Sequence, residues 1–244
     1  MIHVLRALAG VALIVPAAVG AHPATLHPAA SHPAASHPAA SVKRKAPSHA
    51  PAAALVPADA ARRVMAWVAA SGDNHGLPWA VVDKGNASLF LFDRTGKQVA
   101  AVPVLVGIAA GDEATPGVGS KRLADLGPAE KTTPAGRFLA RFGMPVEGHR
   151  VLWVDYATSV ALHPIPTDVG PGERRRERLL SPSPADNRIT FGCINVPALF
   201  YSRLLSPMFA KKGGYVYVLP DTKPLEQVFP RLWAQDAAGT AVAG

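Results

Sequence analysis

Residues Trp79 to Phe92 read WAVVDKGNASLFLF, and they indicate the fold class more strongly than any other stretch of the chain. Both ends of this stretch are rich in β-branched and aromatic residues, which favour strands. The middle, Asp83-Lys-Gly-Asn86, is typical of a turn. The pattern therefore predicts a β-hairpin made of residues 79–83 and 87–92.

The segments after the hairpin also favour short strands separated by turns. The predicted strands cover residues 98–106, 136–142, 150–155, 159–163 and 215–219. Helices are predicted over residues 59–70, with Asp59 as N-cap, and over 198–211, where Pro207 interrupts the pattern. We therefore expect a mainly β fold, a β-sandwich or barrel-like mixed sheet of one domain over residues 77–221, with a few peripheral helices.

Residues 1–21 have the layout of a secretory signal peptide. A basic start precedes the apolar run Ala7–Val19, and the small residues after that run predict cleavage behind Ala21. The run is short for a membrane span, although an uncleaved N-terminal anchor is the alternative. We therefore expect export to the periplasm or cell envelope.

Residues 22–57 consist mainly of Ala, Pro, His and Ser, and a five-residue unit containing His-Pro-Ala-Ala repeats within them. This composition cannot bury enough apolar surface to fold, so it predicts a disordered linker that tethers the domain to membrane or wall. Four histidines spaced by five residues also allow a metal-binding interpretation, but that spacing turns them away from one face of a polyproline helix. They are His22, His27, His32 and His37.

Two further segments flank the predicted domain, a leading helix over residues 58–76 and a C-terminal tail over 222–244. The net charge of the whole chain is +8, which suits an acidic surface such as a cell envelope. The chain shows no nucleic-acid-binding motif, and export argues against nucleic acid as the partner.

Cys193 is the one cysteine of the chain. Exported proteins normally use cysteines in disulfide pairs, so a lone thiol is either an inert core residue or a group kept for chemistry. Gly192 beside it lets backbone N–H groups approach a developing oxyanion, and His163 at the end of a predicted strand supplies a candidate base. Thr190 and Asn195 are candidates for supporting the loop or orienting a substrate.

The block Thr190-Phe-Gly-Cys-Ile-Asn195, with His163 upstream, resembles the catalytic motif of the L,D-transpeptidase (YkuD-type) family. The predicted hairpin, Val104–Gly107 and Lys131–Phe138 resemble other segments of that family in the same order. The resemblance covers most of the predicted domain.

The resemblance implies that Cys193 is the nucleophile, that His163 is its base, and that Gly192 and the Cys193 amide form an oxyanion hole. It implies attack on the bond between the diamino acid and D-alanine of a peptidoglycan tetrapeptide stem, followed by acyl transfer to an amine, with no metal or organic cofactor. Hydrolysis at the same site would make an L,D-carboxypeptidase. A catalytically silent peptidoglycan-binding module is the third possibility.

This chain departs from the family pattern at three places. Phe191 stands where the family usually has histidine, and Pro164 follows His163 where members often have Ser or Gly. A backbone carbonyl or a more distant group would then have to orient the imidazole. Residues 164–187 form a longer link than usual, and they contain the basic run Glu173–Arg178.

The basic run has two interpretations. A solvated basic helix is the first, and a lid whose arginines meet substrate carboxylates is the second. Arg188 lies closer to Cys193 in sequence, so it is the better candidate for a substrate contact. His75 and His149 are expected at the surface.

Overall fold

A computed structural model describes residues 55–143 and 150–232. The predicted signal peptide, the linker up to residue 54, His149 and the end of the C-terminal tail lie outside the described residues.

The described residues form strands β1 to β10 in chain order. Their bounds are β1 Trp79–Asp83, β2 Ser88–Phe92, β3 Gln98–Pro103, β4 Val106–Gly107, β5 Gly136–Phe142, β6 Leu152–Asp155, β7 Val160–Pro164, β8 Arg188–Thr190, β9 Ile194–Val196 and β10 Gly214–Val218. The helices are α1 Asp59–Ser71, α2 Arg175–Leu179, α3 Ala198–Phe200, α4 Ser206–Phe209 and α5 Leu225–Val228.

Eight of these strands form one mixed sheet in the order β3-β2-β1-β10-β5-β6-β7-β9, while β4 and β8 form a separate parallel pair. Within the sheet β1 pairs with β10 and β7 pairs with β9 in parallel, and the other neighbours are antiparallel. Leu105, just after β3, exchanges two backbone hydrogen bonds of 2.9 Å with Asn195 of the opposite edge strand. The sheet is therefore nearly closed and barrel-like, which confirms the predicted mainly β fold class.

The central strands are buried on both faces because two hydrophobic clusters share them. Ala80 and Val82 of β1 face the interior of the barrel, whereas Trp79 and Val81 belong to an outer cluster. This alternation follows from the two-residue period of a strand. Helix α1 covers the outer face, because the residues predicted to share one side, among them Trp67, are buried there.

Two details of the predicted helices are wrong. Asp59 is the first helical residue and does not cap α1, since its carboxylate pairs with Arg62 and Ala58 occupies the N-cap position without a side-chain bond. The second predicted helix ends at Phe209, and Pro207 lies inside α4 and does not break it. A π-helical segment, Tyr201–Leu205, precedes this proline, and such widened turns accommodate the lost backbone donor.

The C-terminal side of the domain also packs on the outer cluster. Leu225 of α5, Phe229 and Leu232 are buried there against α1 and the sheet. None of the helices in residues 55–143 and 150–232 is long and apolar enough to cross a membrane.

Candidate active site

Cys193 lies in a tight turn between β8 and β9. Gly192 has φ 121°, a backbone conformation that residues with a Cβ rarely adopt. A Cβ added at this position would stand 2.8 Å from the backbone oxygen of Thr132. Both the local conformation and the neighbouring chain therefore require glycine beside the cysteine.

The turn is held from inside by Thr190. Its hydroxyl donates to the backbone carbonyl of Cys193 at 2.6 Å and accepts from the Gly192 amide at 3.2 Å. Thr190 thus lies where loop support was predicted. The Gly192 amide is used within the loop in this structure, so its part in an oxyanion hole stays a prediction.

Thr133 holds the turn from the other side. Its buried hydroxyl donates to the carbonyl of Gly192 and accepts from the amide of Gly107, both at 2.8 Å. Gly107 allows this close approach, because a Cβ there would stand 2.3 Å from the carbonyl oxygen of Lys131. Two segments that resemble the transpeptidase family in sequence, Val104–Gly107 and Lys131–Phe138, therefore meet at the Cys193 turn.

His163 lies on β7, the parallel neighbour of β9, and is paired in register with Asn195. Its Nδ1 lies 2.8 Å from the carbonyl oxygen of Pro164. A carbonyl can only accept, so this contact places the proton on Nδ1 and leaves a lone pair on Nε2. The group that orients the imidazole in this structure is a backbone carbonyl, the first of the two alternatives that the sequence at Pro164 left open.

The other ring nitrogen of His163 faces the Asn195 amide, with 3.2 Å between Nε2 and Nδ2. Asn195 is fully buried, and its Oδ1 accepts a hydrogen bond of 2.8 Å from Nη1 of Arg175. Both ends of the Asn195 side chain are thus used inside the protein, and a direct contact of this residue with substrate stays a prediction.

Burial lowers the pKa of His163 below its ordinary value, and the positive charge of Arg175 lowers it further. The hydrogen bond to Pro164 acts in the opposite direction but is outweighed. The imidazole is therefore neutral at pH 7, which is the state that a general base needs.

The Cys193 sulfur lies beside the start of β7, the strand that carries His163. Its hydrogen bond in this structure goes to the carbonyl of Ser159, at 3.8 Å. Burial raises the pKa of the Cys193 thiol, and this outweighs the amide of Ala161 and the charge of Arg175, which both lower it. The thiol is therefore protonated at neutral pH and needs a base at the moment of reaction.

Cys193 lies two residues before Asn195 of β9, and Asn195 is level with His163 of β7. Because side chains alternate along a strand, we expect the thiol and the imidazole on one side of the β7–β9 pair. In this arrangement Asn195 occupies the Nε2 of His163, so the predicted transfer of the thiol proton requires Nε2 to exchange that partner. The Cys193–His163 pair stays a prediction.

A cavity of about 40 Å³ opens beside Cys193. Apolar side chains from the β4–β5 connection line much of it, together with Ser159 and Phe191. Phe191 is 40% exposed, and Nζ of Lys131 lies 4.1 Å from its ring centroid. Phe191 therefore forms part of the cavity wall, and the Lys131 ammonium lies over its ring.

Arg188 is not among the residues that line this cavity. Its Nη2 donates to Asp221 at 2.6 Å, and Nη1 lies 3.5 Å from the carbonyl of Gly107. Asp221 also lies 3.4 Å from the fully buried Nζ of Lys84. Arg188 thus anchors the start of β8 in this structure, and its contact with substrate stays a prediction.

The same ionic cluster includes the buried carboxylate of Asp112, which lies 3.1 Å from Lys84. Burial acts to raise the pKa of Asp112, but hydrogen bonds from Asp221, Thr222 and Lys223 outweigh it and hold the pKa well below its usual range. The cluster joins the β4–β5 connection, which contains Asp112, to the chain after β10, and Lys84 also donates to the carbonyl of Thr133.

The structure fits the interpretation of the basic run Glu173–Arg178 as a solvated helix only in part. Arg174 is exposed and pairs with Glu177, as a solvated helix would require. Arg175 instead is 8% exposed and reaches inward to Asn195, with its Nε 2.5 Å from Glu173. Sequence reasoning singled out the run but could not tell which of its arginines is buried.

No group of three or more His, Cys, Asp or Glu side chains within the described residues is placed to hold a metal ion. The four histidines of the linker lie outside those residues.

Several solved structures resemble this chain at low identity. They include the helical cell shape determining protein Pgp2 of Campylobacter jejuni, with a TM-score of 0.41 and 13% identity over 65% of this chain and 56% of that chain. The L,D-transpeptidase of Xylanimonas cellulosilytica has a TM-score of 0.36 and 16% identity over 58% of this chain and 60% of that chain. The catalytic domain of the E. faecium L,D-transpeptidase has a TM-score of 0.35 and 18% identity over 58% of this chain and 95% of that chain.

This chain therefore spans less than two thirds of the length of the Campylobacter and Xylanimonas structures. No protein-family model matches the sequence, and no curated protein matches it either.

Proposed function

We propose that this chain is an exported peptidoglycan L,D-transpeptidase with Cys193 as nucleophile and His163 as base. The observation that carries the proposal is that a neutral imidazole, His163, is in register with Asn195 of the parallel neighbour β9, two residues after Cys193. The order of family-like sequence segments around the Cys193 turn supports it.

In the proposed reaction, Nε2 of His163 takes the thiol proton, and the sulfur attacks the carbonyl between the diamino acid and the terminal D-alanine. The C–N bond breaks, the imidazolium returns the proton to the leaving amine, and a thioester remains on Cys193. An amine from a second stem peptide then attacks the thioester. The amine loses a proton to His163, which passes it to the departing Cys193 thiolate, and a new amide bond remains. Water as acceptor would give a tripeptide, which is the carboxypeptidase outcome.

The amide groups around residues 192 and 193 are the candidates for holding the oxyanion. The turn is rigid because Thr133 and Thr190 hold it from both sides. A held turn favours catalysis because it keeps the Cys193 amide in place, whereas the Gly192 amide has to leave the Thr190 hydroxyl before it can reach an oxyanion.

One observation favours a second candidate, a catalytically silent peptidoglycan-binding module. Both ring nitrogens of His163 are engaged, by Pro164 and Asn195. Phe191 also replaces the family histidine beside the nucleophile.

Incubation with purified disaccharide-tetrapeptide separates these candidates. We expect a crosslinked dimer with release of D-alanine from the full chain, and no product from Cys193→Ala. Tripeptide without dimer would assign the carboxypeptidase. Absence of any product, together with retained binding to peptidoglycan, would favour the silent module.

The remaining organisation is also proposed. Residues 1–21 act as the export signal, residues 22–57 as the tether to membrane or wall, 58–76 as the leading helix and 222–244 as the tail around the catalytic domain. Mass spectrometry of the protein recovered from the periplasm would show a mature N-terminus at His22, whereas an intact Met1 would identify an uncleaved anchor.

A further inference from the structure

Within the basic run on residues 173–178, Arg175 is buried and bonds to Asn195, which in turn contacts His163. Its guanidinium lies between two acceptors, Oδ1 of Asn195 at 2.8 Å and Oε2 of Glu173 at 2.5 Å. A guanidinium presents only donors, so it can face only the oxygen end of an amide.

This restriction passes along the hydrogen-bond chain. With Oδ1 of Asn195 held by Arg175, the NH2 group must face Nε2 of His163. Nε2 then has to accept, and the ring proton has to lie on Nδ1, where the Pro164 carbonyl receives it. Each donor in the chain meets an acceptor only if the amide and the imidazole adopt this one arrangement.

We infer that Arg175 is a positioning residue that fixes the orientation of Asn195 and, through it, keeps His163 as the tautomer whose Nε2 can accept a proton. The inference deepens the proposed function and rests on the proposed use of His163 as the base. Arg175 touches neither the substrate nor the thiol in this role.

Charge supports the same assignment. Arg175 opposes protonation of His163 and favours the thiolate of Cys193. The other charged groups near the site are Glu173, which pairs with Arg175 itself, Lys121, which pairs with Glu130 on the cavity wall, and Lys131, whose ammonium lies over the Phe191 ring. Removal of the Arg175 charge should therefore raise the pKa of both His163 and Cys193.

The test measures the pH dependence of Cys193 alkylation by iodoacetamide on the full chain, followed by intact mass. Arg175→Met should shift the midpoint upward by about half to one pH unit, as expected for loss of one nearby charge. Arg175→Lys keeps the positive charge, so its midpoint should lie at least halfway back from the Arg175→Met value to the wild-type value. Arg176→Met is the matched control, because Arg176 is exposed on the same helix, and its midpoint should stay at the wild-type value.

A second measurement reads the tautomer of His163 directly, first in the wild-type chain and then in Arg175→Met. In ¹⁵N NMR of the full chain with labelled histidine, His163 should show the Nδ1–H tautomer, with its signals identified by their loss in His163→Gln. Arg175→Met should convert part of that signal to the Nε2–H tautomer.

An unchanged alkylation midpoint in Arg175→Met, an equal shift in Arg176→Met, or an Nε2–H tautomer in the wild-type chain would each overturn the inference. The tautomer result decides the matter if Arg175→Met does not fold. Neither readout requires turnover of peptidoglycan, so inactivity toward tetrapeptides would count against the proposed function and not against this role of Arg175.

Discussion

Replacement of Gly192 by alanine should destabilise the protein more than a typical glycine-to-alanine change. The φ of 121° lies in a region that strains any residue with a Cβ, at a cost of about 1–3 kcal/mol. The new Cβ would also stand 2.8 Å from the backbone oxygen of Thr132, and overpacking of this kind costs about 1–3 kcal/mol more. We therefore expect the free energy of unfolding to fall by about 2–6 kcal/mol.

The contact cannot relax easily. The atom that would clash belongs to the backbone, and Thr133 next to it is fixed by hydrogen bonds to Gly107 and Gly192. If the protein yields by moving the Cys193 turn, alkylation of Cys193 should change together with stability.

Gly117→Ala is the matched control for the backbone term. Gly117 also has a positive φ, of 76°, but nothing lies within 4 Å of its added Cβ. Urea unfolding of both variants gives, as their difference, the steric contact together with the greater backbone strain of Gly192. A loss of stability in Gly192→Ala that is no larger than that in Gly117→Ala would refute the account of the turn.

Further predictions concern the groups that support the turn. In urea titration, Thr133→Val should lower the free energy of unfolding by about 2–4 kcal/mol, because it leaves the buried amide of Gly107 and the carbonyl of Gly192 without their Thr133 partner. The control is Thr167→Val at an exposed position, which should change the free energy of unfolding by less than about 0.5 kcal/mol. Asp112→Asn should cost about 3–5 kcal/mol, since it leaves the buried Lys84 ammonium with less compensation. Because the pKa of Asp112 is depressed in the folded state, its contribution is complete above pH 4 to 5 and is lost as pH falls below that range. Wild-type unfolding midpoints should therefore fall on acidification from pH 5 to pH 2 more steeply than those of Asp112→Asn, and parallel profiles would contradict this.

Much of the sheet could be predicted from local sequence because its central strands are long and regular. The hairpin at residues 79–92 carries β-branched and aromatic residues around a clear turn, and the structure contains it with nearly the predicted bounds. Strands β8 and β9 were not predicted, since three residues each are too short to show a period of two. Their pairing depends on contacts with β4 and β7, which are distant in sequence.

The candidate site shows the same limit. Cys193, Gly192 and His163 could be proposed from residue types and order alone, because nucleophile chemistry needs those groups. The burial of Arg175 could not, since its neighbours in the basic run carry the same charge and only the tertiary structure selects one of them. Asp59 failed as a cap for a related reason, as its carboxylate found a cation one turn later.

The most direct test of the central claim is acylation of Cys193 itself. A carbapenem contains a β-lactam carbonyl, and a nucleophilic Cys193 thiol should attack it, open the ring and keep the acyl group as a thioester. Intact mass spectrometry would detect the added mass. We expect one covalent adduct on the full chain. Peptide mapping should locate it at Cys193, and it should be absent in Cys193→Ala. A wild-type chain that stays unmodified while remaining folded would contradict the assignment of Cys193 as a catalytic nucleophile.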